Sequence, residues 1–321
     1  MANQTIRILP SVQIMELMSQ SGPYHVGEVV QRLLQFHFYQ AIETALVWDA
    51  QQASQVHTLC RSHRIRWTCW ASAELAQEQL NLSSLSPSLR RHSLQRVIQF
   101  LQTAGEQGAD AFAVLSGPAP EDPSDLPKAV SAFGDSLREL ALAARSYPHM
   151  DLLLEPLDRW VHKKSTIGPT RQAAELIRSV RHIHPNTFMA WDSAHTVLNR
   201  EDPVTSLRIA GDTVCQLHLC NAVLDDQDLL YGDHHIAPGD RGYLTLLRGA
   251  DIICEAARLP LLHSVLPVAV EVRPRAGEDP WKLEADIRSF LRRSIEYSQL
   301  GRPSDEHPEA LPQITIGGQQ I

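Results

Sequence analysis

Eight short apolar runs, separated by longer stretches of helical period, constrain this chain of 321 residues more than any other feature. The runs fall at residues 5–10, 41–48, 65–71, 111–116, 151–156, 187–192, 214–220 and 268–273. Between them, segments such as 26–36, 86–107, 127–146, 170–184, 243–258 and 280–300 carry apolar residues at helical spacing. Leu94, Val97, Ile98 and Leu101 form one such stripe, and Thr170 stands as a cap before RQAAELIRSV. Strands buried on both faces read as near-continuous apolar runs, and strands that alternate with helices build a parallel sheet. Eight such units in this length predict one closed (β/α)8 barrel over residues 1–300. An open doubly wound sheet is the competing arrangement, but no GxGxxG follows an early strand and no GxxxxGKS/T occurs. Residues 301–321, rich in proline, glycine and polar side chains, read as a C-terminal tail, either disordered or an arm that reaches a partner subunit of a homo-oligomer.

Composition removes several function classes. With 43% hydrophobic residues the chain buries a substantial core, which excludes disorder as a whole. A net charge of −8 argues against nucleic acid as a partner. No apolar run approaches the roughly 20 residues that span a bilayer, and the start, MANQTIRILPSV, lacks the order of a secretory signal, so a cytoplasmic protein is expected. Five cysteines, Cys60, Cys69, Cys215, Cys220 and Cys254, form no CxxC pair and are expected to be buried thiols.

Four of the runs end in side chains that bind metals: LLLEP at Glu155, MAWDSAH at Asp192, QLHLC at His218 and VAVEVRP at Glu271. In a parallel barrel these ends converge on the carboxyl edge, where such folds build their sites. A charged carboxylate after three leucines is strongly destabilised unless a cation or hydrogen bonds compensate it. For Glu155 alone a buried ion pair serves equally well; four repetitions at four strand ends favour one shared site. Two glutamates, an aspartate and a histidine make a hard, oxygen-rich set that suits manganese, magnesium or cobalt, with zinc also compatible.

The order of Glu155 in EPLDRW, Asp192 and His195 in WDSAH, His218 in HLCN, Asp233 and His235 in DHHIAPG, and Glu271 in VEVRP resembles the xylose isomerase-like TIM barrel superfamily. That group includes sugar isomerases, ketose 3-epimerases, inosose dehydratases and the endonuclease IV type of repair enzyme. The resemblance spans roughly residues 41–300. It implies that Glu155, Asp192, His218 and Glu271 hold one divalent ion, manganese first, and that Glu155 and Glu271 also move protons at a bound sugar or polyol. The endonuclease type carries further histidines at the ends of its third and fourth strands; here those ends read TCWASA and AVLSGP. EPLDRW is similar to the EPLNRF pattern of the epimerases, but Val161 stands where those enzymes place a substrate-binding glutamate. The implied chemistry is proton transfer through an enediolate, giving an isomerase or epimerase; loss of a β-substituent from the same carbanion gives a lyase. A barrel that only binds or assembles is the third alternative.

Around this core, His195 either binds a substrate hydroxyl or caps a helix. Asp233 and His235 lie in a glycine-flanked stretch, YGDHHIAPGDRG, that suits a mobile wall over the substrate. Arg273 shares the inward direction of Glu271 and either binds substrate or pairs with that glutamate. Glu43 resembles an inward glutamate common on the second strand of the family. Trp160 and Trp67 offer apolar walls for a sugar ring or simple packing. Lys163 and Lys164 read as a solvated pair, and His57, His63, His182, His184 and His263 show no partner pattern.

Overall fold

Each of the eight apolar runs contributes a strand in the computed structural model, which describes residues 6–239, 241–300, 315–316 and 319–320. The barrel strands are β1 (Arg7–Gln13), β2 (Ala41–Ala45), β3 (Arg66–Trp70), β4 (Ala111–Val114), β5 (Asp151–Leu154), β6 (Thr187–Asp192), β7 (Val214–Val223) and β9 (Val265–Glu271). They pair in parallel in the order β6-β5-β4-β3-β2-β1-β9-β7, and β7 pairs with β6 to close the ring. Closure leaves no free edge among the eight. One further strand, β8 (Gly232–Ile236), folds back antiparallel on the last residues of β7, with Val223 opposite Gly232 and Ala222 opposite Asp233. The family-like stretch expected to be a mobile loop is therefore half of a hairpin. Rich in histidine and aspartate, it carries no apolar alternation that would have marked it as a strand.

Pro10 does not end the first strand, although the apolar run stops there. It lacks a donor, but its carbonyl still accepts from the Gln40 N–H at 2.8 Å, and the pairing continues to Gln13, which lies opposite Glu43. The helices are α1 (Ile14–Leu17), α2 (Val26–Leu34), α3 (Ala50–His63), α4 (Ser72–Gln77), α5 (Pro87–Glu106), α6 (Leu126–Ala144), α7 (Thr170–Arg181), α8 (Ser193–Leu198), α9 (Pro203–Ala210), α10 (Leu246–Ala256) and α11 (Pro280–Leu300). α3 has a thin apolar face, Ala53, Val56 and Cys60, and is fixed instead by Asp49, whose side chain caps the Gln52 N–H at 2.8 Å. Thr170 is no cap. It is the first helical residue, and both its N–H and its hydroxyl donate to Glu201.

Outward strand side chains meet the helices in the main core, where Trp67, Trp191, Phe112 and Phe133 are fully buried; each such side chain contributes roughly 1.5–3 kcal/mol of burial. Inside the ring a smaller cluster of Ala111, Ala113, Leu153, Phe188, Ala190 and Cys215 fills the lower lumen. Cys60, Cys69, Cys215 and Cys220 are buried free thiols, and Cys254 is half-buried. No described helix is long and apolar enough to cross a membrane. The tail lies outside the described residues, except for Thr315–Ile316 and Gln319–Gln320, which pair antiparallel.

Candidate active site

Glu155 directly follows β5, Asp192 ends β6, His218 lies on β7 opposite Asp192, and Glu271 ends β9. Parallel strands bring these positions to one rim, and one ligand atom from each lies within 4.8 Å of the others. His218 stands at the centre. Its Nδ1 is 3.0 Å from Glu155 Oε1 and 3.2 Å from Glu271 Oε2, while its Nε2 is 3.0 Å from Glu43 Oε2. Burial opposes the charged ring, yet Glu43 on one side and Glu155 and Glu271 on the other raise it well above its ordinary range, so Nε2–H donates to Glu43 and Nδ1 holds the proton that an ion on the rim would displace.

Glu43 is itself fully engaged. It accepts from Ser11 Oγ at 2.9 Å, from Trp70 Nε1 at 2.9 Å and from Gln216 Nε2 at 2.7 Å, and Gln216 Oε1 accepts from the Thr68 hydroxyl at 3.0 Å. This column fills the upper lumen with satisfied polar groups. Gln13 Nε2 donates to Glu271 Oε2 at 2.8 Å from the neighbouring strand.

Asp192 Oδ1 accepts the His195 N–H at 2.8 Å and so caps α8, but Oδ2 is buried without a hydrogen-bond partner. An orphaned buried acceptor costs roughly 1–3 kcal/mol, more if charged. Burial foremost, with Glu271 and Glu155 adding to it, pushes Asp192 up to about 7, and burial also raises Glu155. Three carboxylates facing one imidazole, with one oxygen unpartnered and two acids shifted upward, leave more negative charge than the protein neutralises. That donor set fits a hard divalent ion.

Charged groups surround the quartet. His195 Nδ1 is 3.4 Å from Asp158 Oδ2 and its Nε2 is 3.8 Å from Asp233 Oδ2. Burial opposes its protonated form, yet Asp192, Asp158 and Asp233 raise it to about 10. Asp158 Oδ1 also accepts the backbone N–H groups of Val161 and His162, which fixes the segment after EPLDRW. Asp233 Oδ2 lies 3.4 Å from Lys163 Nζ and 3.6 Å from His235 Nε2, and His235 Nδ1 lies 3.0 Å from Glu271 Oε1. Above them opens a cavity of about 480 Å³. Lys163, His195, His235 and Arg273 line its charged side; Met15, Ala45, Trp70, Ala73, Ala76 and Leu115 contribute to an apolar side.

A family profile described as xylose isomerase-like TIM barrel matches residues 34–250, more than half of the chain. The chain belongs to that family. No curated protein matches the sequence. Among solved structures it is similar to D-psicose 3-epimerase determined with D-fructose (12% identity, TM-score 0.66, covering 91% of this chain and 98% of that one). It is also similar to 3-keto-D-glucoside 4-epimerase from E. coli (17%, TM-score 0.64, 89% and 99%) and to the IolI protein with a bound zinc atom (15%, TM-score 0.67, 92% and 99%).

In this xylose isomerase-like barrel several expected substrate contacts fall elsewhere. Trp160 is 58% exposed and does not line the cavity; the Arg159 guanidinium lies 5.7 Å from its ring centroid. Glu43 is buried beneath His218 and does not line the cavity, and its carboxylate meets the His218 ring instead. Asp233 is likewise buried, behind Lys163, His195 and His235. Arg273 does line the cavity, but it pairs with Glu16 and not with Glu271. His195 and His235 line the cavity as well. Trp67 is core, its indole N–H donating to Thr44 at 2.9 Å, and the wall belongs to Trp70, three residues on and on the other strand face. Lys163, not Lys164, reaches the site. Sequence reasoning misses Gln13, Glu16 and Trp70. Strand alternation in RWTCW is the available signal for Trp70, whereas an end to the first strand at Pro10 hides Gln13.

Proposed function

We propose that this chain is a divalent-metal-dependent isomerase or epimerase of a sugar or related polyol, in which Glu155 and Glu271 exchange protons with substrate carbon. The observation that carries this reading is the convergence of Glu155, Asp192, His218 and Glu271 within 4.8 Å, with Asp192 Oδ2 left unpartnered. These four would hold one ion, manganese first given three carboxylates, with magnesium, cobalt or zinc compatible with the same donors. The bound ion supplies Lewis-acid polarisation of a carbonyl and its neighbouring hydroxyl.

The protein groups divide the proton work. Burial would raise Glu271, but the charge of His235, whose Nδ1 lies 3.0 Å from Oε1, favours its ionised form, which can take a proton from carbon. Glu155, raised by burial, holds a proton more readily and can return one. Two carboxyls driven in opposite directions make an acid and base pair. His195, His235 and Lys163 offer donors to substrate hydroxyls on the charged side of the cavity, and Trp70, anchored through its indole N–H to Glu43, presents an apolar surface. The similarity of fold to sugar epimerases supports a small carbohydrate as substrate.

A second reading rests on the apolar side of the cavity. Met15, Ala45, Ala73 and Ala76 leave room for an apolar substituent beside the sugar, which favours a lyase that expels an aglycone from the same carbanion. Proton NMR in deuterated water with added manganese separates the two across a panel of ketoses, inososes and oxidised glycosides. Inversion with uptake of solvent deuterium marks the epimerase, and release of water or aglycone marks the lyase. Full turnover in Glu155→Gln or Glu271→Gln would sink both.

A further inference from the structure

The opposite end of the barrel holds a second cluster of metal-binding side chains, on which the proposed reaction makes no demand. Asp151 opens β5, Cys215 is the second residue of β7, and His263 lies just before β9; their donor atoms lie within 4.8 Å of one another. His263 Nε2 is 3.3 Å from Asp151 Oδ2, and Cys215 Sγ is 3.8 Å from the same oxygen. Zinc bonds of roughly 2.0–2.1 Å to nitrogen and oxygen and 2.3 Å to sulfur give tetrahedral edges of about 3.3 Å and about 3.5 Å. The first spacing matches and the second is a few tenths of an ångström long.

Two further observations point to a ligand. His263 Nε2 is a buried atom whose contact with Asp151 Oδ2, at 3.3 Å, is an ion pair at ligand spacing without hydrogen-bond alignment. The ring is also held in place, tilted against Phe188 with centroids 4.7 Å apart. Asp151 and His263 both line an open cleft of about 560 Å³, which gives an ion a way in and a water a fourth position. Arg66 is the competing cation, with Nη2 2.5 Å from Asp151 Oδ2 and 3.8 Å from Cys215 Sγ. A carboxylate offers about four lone-pair directions over its two oxygens, so the guanidinium can stay on Asp151 while an ion displaces it from Cys215.

We infer that Asp151, Cys215 and His263 form a second metal site, for zinc or a similar borderline divalent ion, that ties the amino ends of β5 and β7 to the segment before β9. Sulfur, nitrogen and oxygen donors together suit zinc better than manganese or magnesium. As the bonds form, the Cys215 thiol and a protonated His263 each release a proton to solvent, and no redox step is involved. The site's place at the amino face makes its role one of stability.

Titration of metal-free protein with Co(II) tests this. The expected result is two equivalents bound, one of them accompanied by the near-ultraviolet charge-transfer band of a cobalt–thiolate bond. Cys215→Ser should lose the band and that equivalent, His263→Ala should weaken it at least tenfold, and both should keep the other equivalent. Zinc should raise the melting temperature of the wild type further than that of Cys215→Ser, which keeps only the upper site. Saturation without a thiolate band overturns the inference, as does a band that survives Cys215→Ser and vanishes in Cys220→Ser. Should Cys215→Ser not fold, His263→Ala, altered at a partly exposed side chain, decides the matter through the same band: tenfold weaker binding supports the site and unchanged binding overturns it.

Discussion

At the carboxyl end of the barrel three carboxylates face one histidine, whereas at the amino end one carboxylate faces a histidine, a thiol and a guanidinium. The upper cluster is under-neutralised: burial lifts Asp192 to about 7, and one of its oxygens has no partner. The lower cluster balances itself. Burial would raise Asp151 too, yet His263 and Arg66 beside it hold it below its ordinary range. Burial of acids does not by itself mark a reactive site, therefore; the mark is whether the surrounding protein supplies the opposite charge.

The largest effects that bear on this contrast are expected at the upper end. Glu155→Gln and Glu271→Gln should each lower turnover by on the order of 10²–10⁴-fold with an unchanged circular dichroism spectrum, as expected when a general acid or base is removed. At the lower end, Arg66→Leu should leave turnover intact and destabilise the metal-free protein by about 2–3 kcal/mol, because it strands the mostly buried Asp151; added zinc should restore part of the loss in a denaturant melt. Equal damage to turnover would show that the two ends are coupled. Glu43→Gln should weaken manganese binding by about 10–100-fold in a titration, since it removes the acceptor that orients His218.

The charge contrast also fixes a sign. Asp192 is raised to about 7, so the folded apoprotein binds the extra proton and loses stability as pH climbs from the ordinary carboxylate range through 7. His195, raised to about 10, contributes stability that is complete below its ordinary value of about 6.5 and is lost as pH rises through 10. With chelator present, the melting temperature should therefore fall between pH 5 and 9, and Asp192→Asn should flatten the lower part of that fall. A rise over this range would remove the electrostatic case for the ion. The smallest effect is expected at Trp160→Ala, within about 0.5 kcal/mol in stability and silent in turnover, because the ring lies on the surface outside the cavity.

The barrel is legible in the sequence because two periodicities, apolar strand and amphipathic helix, both survive there. The quartet is legible for a related reason: strand ends in a parallel ring share one rim, so four linear positions become one place. What stays hidden depends on partners far apart in sequence. Glu43 and His218 are separated by 175 residues, and only the closed ring shows that one sits beneath the other. Arg273 and Glu271 are close in the chain, which suggests a pair, but the carboxylate that Arg273 meets is Glu16, on the far side of the β1–β9 seam. The hairpin leaves no trace in the sequence pattern, since β8 gains its pairing from an overlong β7 and not from any apolar alternation of its own.

The hydrogen-bonded column of Ser11, Glu43, Thr68, Gln216 and His218 sets a limit on how this protein can be redesigned. Segments on the rim are joined pairwise, as Arg273 is to Glu16 and Lys163 to Asp233, and can be exchanged pair by pair. The column cannot. Each member satisfies another's donors or acceptors, so a single replacement by an apolar residue leaves orphans in the others, and these five positions are free to change only as a set.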